Sequence, residues 1–262
     1  MIDAVRPISK KDAVALINRF HYSKVLPRIN RHFIGGFFDG ELVAVCTLGY
    51  GVRPLHTIKK IFPTLDVKDY LEIGKLCVDD KMERNTESNF ISQVISYIKA
   101  NIQDIKILYS WSDGIIGKPG YVYQASNFYY GGFITTEMYL NEEGFRMHPR
   151  TVQGLSTVKS SGKLNSRSFE TTQAMGLKKY FGYQFRYCYP VCHKKEWKKI
   201  VTQSTVKWER QGYPKDADCK WLIQTAKGKR AECEKPSFIS TKYMKEEYKQ
   251  KNASYSNQDL FN

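Results

Sequence analysis

The sequence predicts an α/β fold with a mixed central sheet flanked by helices, and three observations carry that expectation. Strand-like and helix-like runs follow one another in the order β-α-β-β-β-α-β-α-β. The apolar runs Phe33–Phe38 and Leu42–Leu48 are joined by Asp39-Gly40, a hairpin turn signal. Ser88–Ala100 places Ile91, Val94, Ile95 and Ile98 on one face at helical spacing.

Taken in order, Ala4–Ile8 reads as a short strand. Ser9 then caps a helix running to about Phe20, with Asp12 completing a start like a capping box. Val52–Asp69 carries Pro54 and Pro63 and reads as loop with at most one helical turn. Leu71–Val78 and Ile105–Trp111 are strands on either side of the Ser88–Ala100 helix. Gly120–Asn127 is a short helix, and Phe128–Leu140 is a strand interrupted at Gly131-Gly132. Residues 141–180 form a polar insertion rich in Ser, Thr and Arg, after which Tyr183–Val191 alternates like a strand that closes the sheet. From Thr202 onward periodicity fades into Lys, Gln, Asn and Ser, although Trp208 and Trp221 argue against complete disorder. The expected division is one domain over residues 1–200 and a basic C-terminal extension over 201–262.

A hydrophobic content of 42% and an aromatic content of 14% are those of a globular protein. No run approaches the roughly 18 apolar residues of a membrane helix. The N-terminus lacks a signal-peptide pattern, so the expectation is a cytoplasmic protein that is not membrane-bound. The six cysteines are too scattered for a secreted disulfide scaffold. Cys188, Cys192 and His193 open like a zinc site, but Cys188 and Cys192 lie in the alternating strand and lack a close Cys-x-x-Cys partner.

Charge points to a partner. Forty-one Lys and Arg against 26 Asp and Glu give a net charge of +15. Such an excess favours polyanions through counterion release. Lys178, Lys179, Arg186, Lys194, Lys195, Lys198 and Lys199 are interleaved with Tyr180, Phe181, Tyr183, Phe185, Tyr187 and Tyr189. Cations beside aromatic faces suit nucleic acid better than a plain solvated surface does.

Two stretches carry the chemistry. The turn after Leu71–Val78 offers Arg84, Asn85, Thr86 and Ser88 at a helix start, where the first N–H groups lack intrahelical partners and favour an anion. If Leu76-Cys77-Val78 is splayed from its neighbouring strand, its backbone can pair with a pantetheine arm. An ordinary polar βα loop is the alternative. Further on, Ser110-Trp111-Ser112-Asp113 precedes Gly117, Gly120 and Tyr123. Asp113 ends a core strand and suits a base, an orienting group or a cap. Tyr123 suits an acid for a thiolate leaving group, or a ring packed between sheet and helix. His21-Tyr22-Ser23-Lys24 clusters proton-handling side chains directly after the first helix, and His148-Pro149-Arg150 suits phosphate contact.

These residues resemble the Mom-type DNA adenine modification family of bacteriophages, divergent relatives of the GCN5-related N-acetyltransferases. The resemblance rests on Leu71-Glu72-Ile73-Gly74-Lys75-Leu76, Arg84-Asn85-Thr86-Glu87-Ser88, Ser110-x-Ser112-Asp113, Tyr123-x-x-x-Asn127-Phe128 and the His21-Tyr22-Ser23 step. It covers about Ala4 to Leu140. It implies an acetyltransferase-like (GNAT) fold, acetyl-CoA as cofactor, and conversion of adenine in DNA to an N6-carbamoylmethyl (methylcarbamoyl) derivative that shields phage DNA from host restriction. It further implies an active site lined by His21, Tyr22, Ser23, Lys75, Asp113 and Tyr123. Leu76, Val78, Arg84, Asn85, Thr86, Ser88 and Asn127 would face the cofactor. Iron is associated with the family, which makes His21 the first metal ligand to consider. Lys75 stands where Arg is usual, which bears on bidentate contact.

The leading expectation is therefore an enzyme of the host cytoplasm acting on an adenine flipped out of double-stranded DNA. His148, Arg150, Lys178, Lys179 and Arg186 are its expected DNA contacts. The alternatives are an ordinary N-acetyltransferase acting on a protein, tRNA or small-molecule amine, and a non-catalytic nucleic-acid-binding protein that kept only the fold. Acetyl transfer leaves an N-acetyl group, whereas a carbamoylmethyl product needs a bond to the methyl carbon and a source of amide nitrogen.

Overall fold

The computed structural model describes residues 1–23, 26, 29–51, 54–147, 152 and 168–239. The strands are β1 (Ala4–Pro7), β2 (Asn30–Phe38), β3 (Glu41–Gly49), β4 (Tyr70–Val78), β5 (Ile107–Ser112), β6 (Tyr129–Leu140), β7 (Arg146–Met147), β8 (Lys178–Pro190), β9 (Trp221–Ala226) and β10 (Lys229–Cys233). The helices are α1 (Lys10–Phe20), α2 (Pro54–Ile61), α3 (Thr86–Asn101), α4 (Tyr121–Ala125), α5 (Phe169–Ala174) and α6 (Lys194–Thr202). This is the mixed α/β class that the sequence predicts, with a mostly antiparallel sheet.

The chain forms two compact units. The first comprises Met1–His21, Val25–Thr136 and Gly182–Lys220. Its sheet runs β1-β2-β3-β4-β5-β8 and on to β6. The pairs β1–β2, β2–β3, β3–β4 and β5–β8 are antiparallel, and β4–β5 is parallel. The β2–β3 hairpin turns at Asp39 and Gly40, both with positive φ (49° and 78°), as the Asp-Gly signal requires. Helix α1 opens on Ser9, whose hydroxyl accepts from the Asp12 N–H, and buries Ala13, Leu16 and Ile17. A larger cluster joins Ile58, Ile61, Phe62, Tyr70, Tyr109, Trp197, Ile200 and Trp208. Phe62 stacks on Trp208 with ring centroids 5.3 Å apart.

The second unit comprises the described residues of Tyr22–Lys24, Glu137–Phe181 and Trp221–Asn262. Here β6 pairs with β7, β8 with β9, and β9 with β10. Tyr139, Met147, Val152 and Leu177 form its buried cluster. Lys179, 7% exposed, is paired with Glu137 at 2.9 Å. Strands β6 and β8 contribute residues to both units.

Several elements depart from expectation. Val52–Asp69 holds the two-turn helix α2, because Pro54 sits at the first helical position, where a missing N–H costs nothing. Ile58 and Ile61 supply its buried stripe, and Pro63 follows its end. Strand β8 begins five residues earlier than expected, and α5 lies inside the polar insertion. The extension contains the β9–β10 hairpin around Gly228, which has φ 73°. Helix α6, read as no element, hides a short stripe of Trp197 and Ile200 among lysines. The expected DNA contacts His148 and Arg150 lie outside the described residues.

Candidate active site at the splay of β4 and β5

β4 and β5 pair over three positions, Tyr70↔Ile107, Leu71↔Leu108 and Glu72↔Tyr109. They then separate, although β4 continues to Val78 and β5 to Ser112. The outer partners stay attached, with Ala44 opposite Val78 on one side and Phe185 opposite Ser112 on the other. A register shift between Thr47 and Leu48 in the β3–β4 ladder coincides with the opening and re-aims β4 there. The half-buried Leu76 and Val78 thus lie on a strand with an inner edge that β5 does not pair. Unpaired backbone donors and acceptors on such an edge suit an amide-containing chain laid along it.

Glu72 stands at the last paired position before the opening. Its residue is partly exposed along the splay, but its carboxyl is enclosed. The carboxylate lies where a side chain on Gly51 would be, 2.3 Å from an ideal Cβ, and Gly51 also has φ 71°. Only glycine combines that backbone with that clearance. Burial pushes the Glu72 carboxyl up to about 7, opposed by a hydrogen bond with Trp111. Tyr109 lies opposite with no exposed surface, and its hydroxyl has no hydrogen-bond partner among the described residues. Its titration feels Arg186 first among charged groups, followed by Glu72. Arg186 itself sits over the Trp111 ring, 5.8 Å from its centroid, and donates to the Gly131 carbonyl at 3.0 Å.

Tyr123 in α4 is 7% exposed, with Phe128 and Tyr187 each 5.2 Å away between ring centroids. The ring is packed between its aromatic neighbours, as one of the two sequence readings has it. Burial pushes its phenol well above the ordinary tyrosine range. Nearby Ser110 opposes the shift, without a hydrogen bond of regular geometry, while Cys46, Asp113 and Glu72 add to it. Asp113 caps a short turn over Gly114–Ile116 and accepts from Gln184 Nε2 at 3.0 Å. Its carbonyl accepts from the N–H groups of Ile116 and Lys118. Lys118 is pushed below the ordinary lysine value by partial enclosure, against the pull of Asp113, Glu87, Cys77 and Asp80.

The turn into α3 keeps Arg84 and Asn85 exposed, with Asn85 left-handed at φ 72°. Thr86 is buried and donates to the Glu83 carbonyl, and Ser88 donates to that of Asn85. Those hydroxyls are spent on shaping the turn. What remains for an anion is the helix start itself and the Arg84 guanidinium.

Other expected site residues are more scattered. His21 is the buried residue after α1, its N–H donating to Ile17. Tyr22 and Ser23 are half-buried and belong to the second unit. Lys75 is buried opposite Thr47. Asn127 is exposed at φ 59° and ends the α4 turn. Of the basic residues, Lys178 is exposed, whereas Lys179 is ion-paired and Arg186 is committed to Gly131 and Trp111. Lys179 and Arg186 thus each have a partner inside the protein, Glu137 and the Gly131 carbonyl. Among the described residues no group of three or more His, Cys, Asp or Glu is placed to hold a metal ion. The zinc-like Cys188 is buried among aromatic rings of the core.

Sequence reasoning singled out Asp113 and Tyr123 but passed over Glu72, Tyr109 and Lys118. The available signal for Glu72 was a lone carboxylate between Leu71 and Ile73 in an apolar strand.

A mixed sheet that opens between parallel β4 and β5, with an anion-friendly helix start after β4, is the acetyltransferase-like arrangement. The Mom protein family matches residues 4–215, and the chain belongs to that family. A similar protein is Methylcarbamoylase mom of Escherichia phage Mu, 32% identical over 124 residues. That match covers 47% of this chain and 51% of the phage Mu protein, so the chain spans about half the length of its curated relative. Among solved structures, aminoglycoside 6'-acetyltransferase type Ii is similar at a TM-score of 0.38 and 8% identity, covering 73% of this chain and 99% of that one. A probable acetyltransferase from Staphylococcus epidermidis is similar at 0.39 and 13%, covering 72% and 99%. Among the described residues no helix is long and apolar enough to cross a membrane.

Proposed function

We propose that the chain carries out an acetyl-CoA-dependent modification of N6 of adenine in double-stranded DNA that protects phage DNA from host restriction. Its own residues would serve thioester cleavage and proton transfer. The amide nitrogen and the bond to the methyl carbon of a methylcarbamoyl base would come from a nitrogen donor and a step outside the acid–base pair of Glu72 and Tyr123. One observation carries the reading. The splay holds a carboxyl poised at about 7, Glu72, in the electrostatic reach of a phenol that stays protonated, Tyr123. Membership of the Mom family, which the sequence reading ties to DNA modification, and a phage Mu relative named a methylcarbamoylase support this reading.

In this reading the β4 edge at Leu76 and Val78 and the turn at Arg84–Ser88 would hold acetyl-CoA. Bound there, the cofactor supplies an activated two-carbon unit. The residues of the chain then divide the proton work. Glu72, ionised above its midpoint, accepts a proton from the attacking amine, and the Trp111 hydrogen bond keeps the carboxyl oriented. Tyr123, kept neutral by burial, holds a proton for a departing thiolate. Asp113 fixes the loop between them through Gln184 and its own carbonyl. The adenine must leave the stack, because its N6 is paired in the duplex.

Mass spectrometry of nucleosides from DNA co-expressed with this chain tests the proposal. A modified adenosine carrying the carbamoylmethyl mass is expected. Unmodified adenine with abundant folded protein contradicts it. The same acid–base pair also supports a second reading, an ordinary N-acetyltransferase on a protein, tRNA or small-molecule amine. That reading predicts acetyl-CoA turnover without DNA and an N-acetyl product.

A further inference from the structure

Helix α6 carries a row of lysines on its outer face, and two of them sit against its dipole although Glu196 in the first turn and Lys199 in the last suit it. Its sequence is Lys-Lys-Glu-Trp-Lys-Lys-Ile-Val-Thr, with Trp197 and Ile200 buried and Lys194, Lys195, Lys198 and Lys199 exposed. Lys194 and Lys195 occupy the first turn, where the helix dipole favours acids and disfavours cations. The pairs Lys194/Lys198 and Lys195/Lys199 put like charges one turn apart, each costing about 0.2–0.5 kcal/mol. The sole acid of the helix does not offset this, because Glu196 turns to Lys106 at 3.6 Å. Among the described residues none of the four lysines has an ion-pair partner. Five lysines elsewhere, Lys59, Lys106, Lys179, Lys207 and Lys227, are paired with carboxylates, so the surface has acids to spare that α6 does not draw on. A merely solvated surface gains nothing from such an arrangement, whereas a polyanion laid across it relieves both penalties.

The position of α6 says which side of the sheet that polyanion meets. Trp197 and Ile200 pack in one cluster with Ile58 and Ile61 of α2 and with Tyr70 and Tyr109, and Trp111 packs against it. Tyr70 and Glu72 alternate onto the same face of β4, and Glu72 engages Trp111. The lysine face therefore belongs to the helix layer covering the sheet face on which Glu72 works.

We infer that α6 is the docking helix for the DNA backbone, contacting phosphates of the duplex through Lys194, Lys195, Lys198 and Lys199. The basic aromatic strand β8 serves the interior instead. This rests on the DNA reading above and goes beyond it by naming the surface. Phosphate contacts made by lysine set affinity and register without reading sequence.

The test is the salt dependence of binding to a 30-base-pair duplex of arbitrary sequence. The full chain is compared with a variant carrying Lys→Gln at all four positions and another carrying Lys→Arg at all four. Each lost phosphate contact removes about 0.9 from the slope of log K against log salt. The wild type is thus expected to lose roughly 150-fold more affinity between 50 and 200 mM salt than the Gln variant does. The Arg variant is expected to keep the wild-type slope. If the Gln variant does not fold, Lys198→Gln/Lys199→Gln alone is expected to lower the slope by about 1.8. A steep wild-type slope left unchanged by the glutamines overturns the α6 assignment while leaving DNA as the substrate. A wild type without DNA affinity at any salt overturns the assignment and the DNA reading together.

Discussion

β4 is two different strands joined at Glu72. From Tyr70 to Glu72 it pairs with β5, with Glu72 alone paired to β3 as well, and its Tyr70 ring is fully buried in one cluster with Tyr109 and the α2 and α6 layer. From Ile73 to Val78 it keeps only β3. The first stretch is scaffold, held to β5 and locked by aromatic packing. The second offers a backbone edge and half-buried side chains. The comparison teaches why Glu72 behaves as it does. It sits where the enclosed stretch meets the open edge, so its carboxyl is held in a low dielectric that raises its pKa while the strand beside it opens.

The comparison can be broken most severely from the closed side. Trp208→Ala removes the ring that stacks on Phe62 and meets Tyr109 edge-on. A loss of about 3–5 kcal/mol is expected in denaturant unfolding. A loss below 1 kcal/mol would mean that the closed half does not depend on this cluster.

The next effect follows from Glu72 itself. Its folded value of about 7 lies above the ordinary 4.5, so the unfolded chain gives up its proton at lower pH than the fold does. Stability from this group is therefore complete below about pH 4.5 and is lost as pH rises toward 7, by an amount on the order of 2–3 kcal/mol. Thermal unfolding across that window is expected to show the decline in wild type and to lack this component in Glu72→Gln. Parallel profiles would contradict the burial.

Gly51→Ala presses a methyl group into the Glu72 carboxylate at a left-handed backbone position. It is expected to cost about 1–3 kcal/mol of stability and to lower activity as well. Tyr109→Phe is the smallest change. It deletes a buried hydroxyl without a hydrogen-bond partner among the described residues. Stability is expected to stay level or rise by less than about 1 kcal/mol in the same unfolding assay.

Much of the scaffold was legible in the sequence because its signals are local. Asp39-Gly40 announces the β2–β3 turn, Ser9 announces the start of α1, and the Ile91–Ile98 stripe announces α3. α2 and α6 were missed for local reasons too. A proline was read as a breaker when it opens a helix, and two buried residues were outvoted by lysines. The site was legible only in part. Asp113 and Tyr123 stand out as candidates by position, after a strand and within a Gly-flanked turn. The poise of Glu72 does not, because it comes from Gly51, Trp111 and the place where pairing stops, none of which adjoins it in sequence. Lys179 and Arg186 show the converse, since cations that look available in the sequence are engaged by Glu137 and Gly131 in the fold.

The most direct test is the pH dependence of adenine modification in duplex DNA at saturating donor, for wild type and Glu72→Gln. With the carboxyl as proton acceptor, the wild-type rate is expected to rise tenfold per pH unit and to level off near 7. The Gln variant is expected to fall by roughly 10²–10⁴-fold and to lose that rise. A Gln variant that keeps the wild-type rate and profile would contradict the assignment of Glu72.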